Sequence, residues 1–247
     1  MKIKKNDLVL LIGDRDYLVQ AGAGKFGTRR GEIDLNELSK KKYGDTVKTH
    51  LGQSYTAVEP RTGDILKKIK RAPQIIGQKD AGYIAGRVCL GKEDIVLEAG
   101  TGSAAMTIFM AGIAKKIISY ELRKDFYKIA KGNIERFGIK NVTIRNKSAE
   151  KGFTERNADI AMLDMGSPEL VIPHIPKSLK PGGYLVVYSP VIEQVQRVHD
   201  AIKKSNSFTQ ADTEEVIMRR WDIGGNKTRP KTQMLGHTAF LTFARRI

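Results

Sequence analysis

Glu98-Ala99-Gly100-Thr101-Gly102-Ser103-Ala104 is the stretch whose reading decides the fold. It follows a short apolar run at residues 94–98 and leads into a nearly continuous apolar run at 104–114. A strand that ends in a glycine loop and turns into a helix gathers free backbone N–H groups where a ligand can approach closely. In an open α/β sheet that point lies beyond the carboxyl end of the strand. The glycines alone leave two ligand classes open. Gly100-x-Gly102-x-x-Ala105 satisfies the relaxed dinucleotide pattern, and Glu121 follows about 20 residues on, where a ribose carboxylate belongs.

Outward from the loop, strand and helix textures alternate. Residues 80–88 read as helix, 94–98 as strand, 104–114 as a buried helix and 116–120 as strand. Residues 123–137 form a charged amphipathic helix stopped by Gly138. Strands at 142–145 and 159–163 follow, then a helix within 170–179, a strand at 184–188 and a helix at 193–204. Such alternation implies a parallel sheet covered on both faces. Residues 215–221 and 238–244 are expected to close it as an antiparallel pair. Upstream, 8–12, 17–21 and 54–59 read as short strands among the turn Gly13-Asp14-Arg15-Asp16 and a glycine-rich stretch. Two domains are therefore expected: a small β-rich one at 1–70 and an α/β one at 71–247.

The 247 residues are 40% hydrophobic, enough for a globular core and unlike a disordered chain. The run at 104–114 is too short to span a bilayer, and Thr107 and Gly112 interrupt it. The apolar stretch Leu8–Ile12 is too short for a secretory signal and lies between Asp7 and Asp14. A cytoplasmic protein with no membrane partner is the expectation. Cys89 is the only cysteine, which excludes an intrachain disulfide and a thiolate metal cluster. His50, His174 and His199 show no ligand spacing, so no metal is expected. The formal net charge is +16, unevenly placed. Residues 1–71 hold 16 Lys/Arg against 9 Asp/Glu, 72–218 hold 20 against 17, and 219–247 hold 7 against 1. Two basic ends around a nearly balanced middle suit a polyanionic partner such as nucleic acid; the plainer reading is solubility.

Residues beyond the loop separate the two ligand classes. Glu98 stands directly before the glycines, where a cofactor ammonium needs a negative neighbour. Glu121 follows the second strand of the α/β region. Asp164 ends the fourth in Leu163-Asp164-Met165-Gly166-Ser167-Pro168, and Lys180-Pro181-Gly182-Gly183 turns into the next apolar strand. In this order the residues resemble the motifs of class I methyltransferases, which use S-adenosylmethionine. Plainer readings are a surface charge for Glu121 and a turn or cap carboxylate for Asp164.

Segments far from the loop narrow the resemblance. Lys70-Arg71-Ala72-Pro73-Gln74-Ile75-Ile76 with Lys79-Asp80, Ser189-Pro190 with Gln194-Val195, Arg229-Pro230, and Gly236-His237-Thr238-Ala239-Phe240-Leu241 are similar to segments of the tRNA (adenine-N1)-methyltransferases of the archaeal and bacterial TrmI type. The likeness runs nearly end to end. It implies a Rossmann-like class I domain with a small N-terminal β domain, a homotetramer, and methyl transfer to N1 of an adenine in the tRNA T-loop. It implies a methyl-donor site at Ile76, Gly77, Gly100, Thr101, Gly102, Ser103, Ala104, Glu121, Leu122, Ser148, Ala149 and Asp164, with Asp164 also catalytic. N1 lies on the Watson–Crick edge, so the base must be drawn into a pocket. The sulfonium methyl is already activated, so displacement needs mainly positioning. A carboxylate beside the amino group orients the base and stabilises its developing charge.

The chain departs from the family pattern at several positions. Gly77-Gln78 stands where relatives often carry an aromatic residue or His. Ser148 stands in place of a carboxylate, from which weaker methyl-donor affinity is expected. Gly166 replaces the first proline of an Asp-Leu-Pro-x-Pro loop, which implies a more flexible loop after Asp164. The paired cysteines of some relatives are absent. His237 reads as structural, and Trp221 as packing across the closing hairpin, with base stacking as the other reading. Two rival functions remain: methylation of another acceptor (an isoaspartyl protein or a small molecule), or an inactive RNA-binding homologue.

Overall fold

The computed structural model describes residues 1–71, 74–225 and 227–247. They divide into two compact units, Met1–Ile69 and Lys70–Ile247. Ala72 and Pro73 of the family-like segment lie outside the described residues.

In the first unit the strands are β1 (Leu8–Ile12), β2 (Tyr17–Gln20), β3 (Lys25–Thr28), β4 (Gly31–Asp34), β5 (Thr46–Lys48) and β6 (Ser54–Val58). Four of them form an antiparallel sheet in the order β2-β1-β6-β5, and β3 pairs with β4 in a separate hairpin. The all-apolar Leu8–Ile12 is central because both its faces are covered. Ile3, Val9, Leu11, Val19, Leu38 and Tyr55 make the core. Tyr55 buries its ring and donates its hydroxyl proton to Asp14 at 2.6 Å, so no polar group is stranded. A short helix, α1 (Thr62–Leu66), follows β6. The glycine-rich stretch, expected only as turns, contains β3 and β4. Their residues are mostly polar and only partly buried, so they lack the apolar alternation that marks a strand.

The second unit runs α2 (Gln78–Arg87), β7 (Ile95–Ala99), α3 (Ala105–Ala111), β8 (Lys116–Tyr120), α4 (Lys124–Arg136), β9 (Val142–Arg145), β10 (Ala158–Leu163), β11 (Leu179–Ser189) and α5 (Ile192–Ser205). It ends with β12 (Asp212–Glu215), β13 (Trp221–Asp222), β14 (Arg229–Pro230) and β15 (Phe240–Arg245). Seven strands form one sheet in the order β12-β15-β11-β10-β7-β8-β9. Pairing is parallel from β9 to β11, and β15 is antiparallel to both its neighbours. The α/β architecture expected from the alternation is present.

The sheet's period of two divides its side chains between two cores. Leu97, Ala99, Leu163 and Val187 face α5 and its neighbours Ile172 and Ile175. Val96, Ile117, Met162 and Val186 face α2 and α3, against Ile84, Met106 and Met110. Each fully buried aliphatic side chain contributes about 1.5–3 kcal/mol, so these two layers carry most of the unit's stability.

Two expectations need correction. Residues 170–179 hold 3-10 turns, at Pro168–Leu170 and Ile172–Lys177, because Pro173 and Pro176 each remove a backbone donor an α-helix would use. The closing antiparallel strand is β12, not 215–221. Its sequence Asp212-Thr213-Glu214-Glu215 is polar because it is an edge strand, tied to α2 where Arg87 reaches Asp212 and Glu214. Trp221 instead pairs with Pro230 in the small β13–β14 ribbon and is 54% exposed, so it does not pack across the sheet's closing pair.

No helix among the described residues is long and apolar enough to cross a membrane.

Candidate active site

The order of the sheet reverses between β7 and β10: β8 and β9 lie on one side, β11 and β15 on the other. Crevices at such switch points are where α/β proteins bind ligands. A cavity of about 390 Å³ opens there, within the roughly 300–1,000 Å³ of small-molecule sites.

Most of the expected residues meet in it. The loop after β7 contributes Gly100, Thr101, Gly102 and Ser103, and Ile76 precedes α2. Glu121 and Leu122 follow β8, Ser148 and Ala149 follow β9, and Asp164 follows β10. Gly77 and Ala104 are not part of the wall. Gly77 caps the start of α2. Ala104 is fully buried in a left-handed conformation (φ +63°) at the start of α3.

Glu98 lies outside the wall as well. On β7 it shares a face with Val96, which turns its carboxylate under α3. There Oε2 accepts from Thr107 (2.6 Å) and Ser119 (2.5 Å), and Thr101 completes the chain to Ser119. Ser119 gives its proton to Glu98, so Thr101 is the donor in the last bond. Glu98 thus braces the glycine loop from below and does not face a ligand ammonium. Burial pushes its carboxyl up to about 7, with the charges of Asp164 and Glu121 adding to the effect and the two hydroxyl donors opposing it.

Glu121 does face the cavity. Its oxygens accept the N–H groups of Gly102 and Arg123, both at 2.9 Å, which locks the glycine loop to the end of β8. Each oxygen keeps a second lone pair for a ligand hydroxyl. Ser148 is occupied locally, accepting the N–H of Glu150 at 3.2 Å. Glu150 itself lines the cavity. The sequence reading passed over it, although an acidic residue two positions from an expected carboxylate was the available signal. Phe126 also lines the wall, with the Arg123 guanidinium stacked 3.2 Å over its ring.

Asp164 is the other carboxylate at this point. Its N–H donates to Ala99 (2.9 Å), and no described Lys or Arg pairs with its side chain. Burial first, and the charge of Glu121 second, push it up to about 7. A carboxylate placed this way is poised to meet a cation.

The remaining family-like segments hold the tail in place. Lys79 spends its three donors on Asp80, Thr238 and the carbonyl of Val216, tying α2 to both ends of the segment 216–238. His237 bonds Glu215 through Nδ1 (2.5 Å) and the Pro190 carbonyl through Nε2 (3.0 Å). Both partners accept, so the ring holds both protons when both bonds form.

Residues 66–228 match the family described as the tRNA methyltransferase complex GCD14 subunit. The chain belongs to that family. This GCD14-family chain is 32% identical to the tRNA (adenine(57)-N(1)/adenine(58)-N(1))-methyltransferase TrmI of Methanocaldococcus jannaschii, across 96% of this chain and 94% of that protein. It is also 32% identical to the tRNA (adenine(58)-N(1))-methyltransferase TrmI of Thermus thermophilus, across 96% of each. The crystal structure of tRNA (m1A58) methyltransferase TrmI from Aquifex aeolicus superposes with a TM-score of 0.79 at 27% identity, covering all of this chain and 99% of that one. A SAM-dependent O-methyltransferase from Thermotoga maritima gives 0.85 at 30% identity, covering all of this chain and 95% of that one. The GCD14-family chain is a class I methyltransferase with S-adenosylmethionine as methyl donor, which decides against the dinucleotide reading of its glycines.

Proposed function

We propose that the protein transfers a methyl group to N1 of an adenine in the T-loop of tRNA, with Asp164 as the catalytic carboxylate. The observation that carries this reading is Asp164, a half-buried carboxylate unpaired with any described Lys or Arg, at the switch point that holds the glycine loop. The curated relatives act on adenine N1 of tRNA, and the basic ends of this chain suit such a polyanion.

The cavity fits the methyl donor on its own chemistry. Gly100 and Gly102 let backbone approach it closely, and Glu121 and Asp164 supply negative charge toward a cationic sulfonium. When bound, S-adenosylmethionine supplies a methyl group already activated for displacement. Glu121 would hold the ribose of the donor, and the loop around Gly100–Gly102 would hold its amino-acid end. Asp164 accepts a hydrogen bond from the adenine N6 amino group and turns N1 toward the methyl. As N1 takes the methyl, positive charge spreads over the base, and ionised Asp164 stabilises it.

Self-association as a homotetramer belongs to the same reading. It is supported by the apolar surface of Ile217, Met218, Trp221, Ile223, Met234 and Leu235, all exposed in the single chain. Light scattering on the purified protein measures the assembly. A tRNA substrate supports a cytoplasmic location.

Incubation with labelled S-adenosylmethionine and unmodified tRNA, followed by nucleoside digestion, tests the function. Label in 1-methyladenosine is the expected result. Label only in protein or a small molecule would move the acceptor elsewhere, and tight tRNA binding without transfer would make the protein an inactive binder.

A further inference from the structure

Gly166 raises a physical problem for the reading of Asp164. Two residues after the carboxylate the chain has no side chain, and the space where a Cβ would stand is open. Packing at that residue therefore does nothing to stop the loop from turning. The backbone before Asp164 is secured by its N–H bond to Ala99. The backbone after it is secured from another element altogether.

That element is α5. Gln194, in its first turn, is 3% exposed. Its Nε2 donates to the carbonyls of Met165 (2.9 Å) and Gly166 (3.0 Å), the two carbonyls that follow Asp164. Carbonyl oxygens only accept, so the amide orientation is forced. Its Oε1 is then left buried with no partner among the described residues. A buried orphan oxygen costs stability. Leu or Met would fill the same space without that cost, so packing does not account for an amide here.

We propose that Gln194 is the positioning residue of the Asp164 carboxylate: its two donated hydrogen bonds hold residues 165–166 and so fix the direction in which Asp164 faces the acceptor base. The inference rests on Asp164 acting in transfer. Gln194 touches neither the cavity nor the reacting atoms; it works through the loop. It also takes over the restraint that a proline in place of Gly166 would provide.

The test uses the full-length protein, unmodified tRNA and S-adenosylhomocysteine as a binding probe. Gln194→Met keeps the volume and removes both donors. The expected result is a fall in kcat of about 10- to 100-fold, with the Kd for S-adenosylhomocysteine and the KM for tRNA within about twofold of wild type. The low-pH limb of the rate should move to lower pH, because a loosened Asp164 gains water. Adding Gly166→Ala, for which there is room, should recover part of kcat by stiffening the loop. A wild-type kcat and limb in Gln194→Met, or a kcat loss matched by an equal loss of probe affinity, overturns the proposal. If Gln194→Met does not fold, Gln194→Asn, whose amide cannot reach both carbonyls, is judged by the same readouts. Asp164→Asn is measured alongside. If it transfers at the wild-type rate, the role of Asp164 fails; if it is inactive while Gln194→Met is normal, only the role of Gln194 fails.

Discussion

A Cβ on Gly100 would lie 1.7 Å from the carbonyl oxygen of Asp164. The two residues leave neighbouring parallel strands, β7 and β10, where strand order reverses, and their backbones occupy the volume a side chain would need. The glycine loop and the backbone of Asp164 are therefore packed directly against each other at the switch point.

Gly100→Ala should break that packing. The residue has φ +92°, so alanine is strained there even without the clash. A stability loss of about 3 kcal/mol or more is expected, with S-adenosylhomocysteine binding abolished. Calorimetry and a binding titration check both, and retained binding in a folded variant would show that the loop can shift.

Transfer should depend on the ionisation of Asp164. With its carboxyl pushed up to about 7, kcat/KM should rise as pH passes that value. In the complex a cationic partner draws the carboxyl down, so the limb in kcat should lie at lower pH. Asp164→Asn should lose about 10²- to 10⁴-fold in rate and flatten the limb. A wild-type profile that is level between pH 5.5 and 8 would remove this role.

Glu98 allows a contrast, since it also titrates at about 7 but faces away from the cavity. A carboxyl raised in the folded state makes folding more favourable while protonated. That contribution is complete below about pH 4 and disappears as pH rises through about 7. Glu98→Gln removes the charge, so it should stabilise the protein at pH 8 by roughly 1–3 kcal/mol relative to its effect at pH 5. The transfer limb should persist and move only toward lower pH, because the Glu98 charge that repels an ionised Asp164 is gone. Melting curves at the two pH values settle the sign.

Ala104 and Ala105 are adjacent, buried and differ in backbone conformation. Ala104→Gly relieves about 1–2 kcal/mol of left-handed strain. It gives up about 0.8 kcal/mol of methyl burial and about 0.4–1 kcal/mol of chain entropy. The net should be near zero. Ala105→Gly has no strain to relieve and should cost about 1–2 kcal/mol. Equal losses in denaturant titrations of the two variants would contradict the conformation at Ala104.

Much of the fold was legible because apolar runs between turn residues repeat along the chain. β8 and β9 fall on the expected residues, since each is a short run with a clear stop on either side. The same logic failed for β3, β4 and β12, whose residues are polar. An edge strand or isolated hairpin is stabilised by backbone pairing, and pairing leaves no trace in hydrophobic pattern. The 3-10 turn at Ile172–Lys177 does leave a local trace, since Pro173 and Pro176 stand three residues apart within it.

For the site, what was legible in the sequence was residue type and order: glycines followed by Glu121 and Asp164, the Lys79-Asp80 pair and the Gly236-His237-Thr238 tail. These are properties of residue type and spacing. Tertiary structure decided which groups face the cavity. Strand parity and sheet order turned Glu98 under α3, left Ala104 buried beside the loop, and brought Glu150 to the cavity. It also decided that Gln194, nearly thirty residues from the loop it holds, reaches the two carbonyls after Asp164. A hydrogen bond between distant residues depends on the packing of α5 against the sheet, and no local pattern encodes that distance.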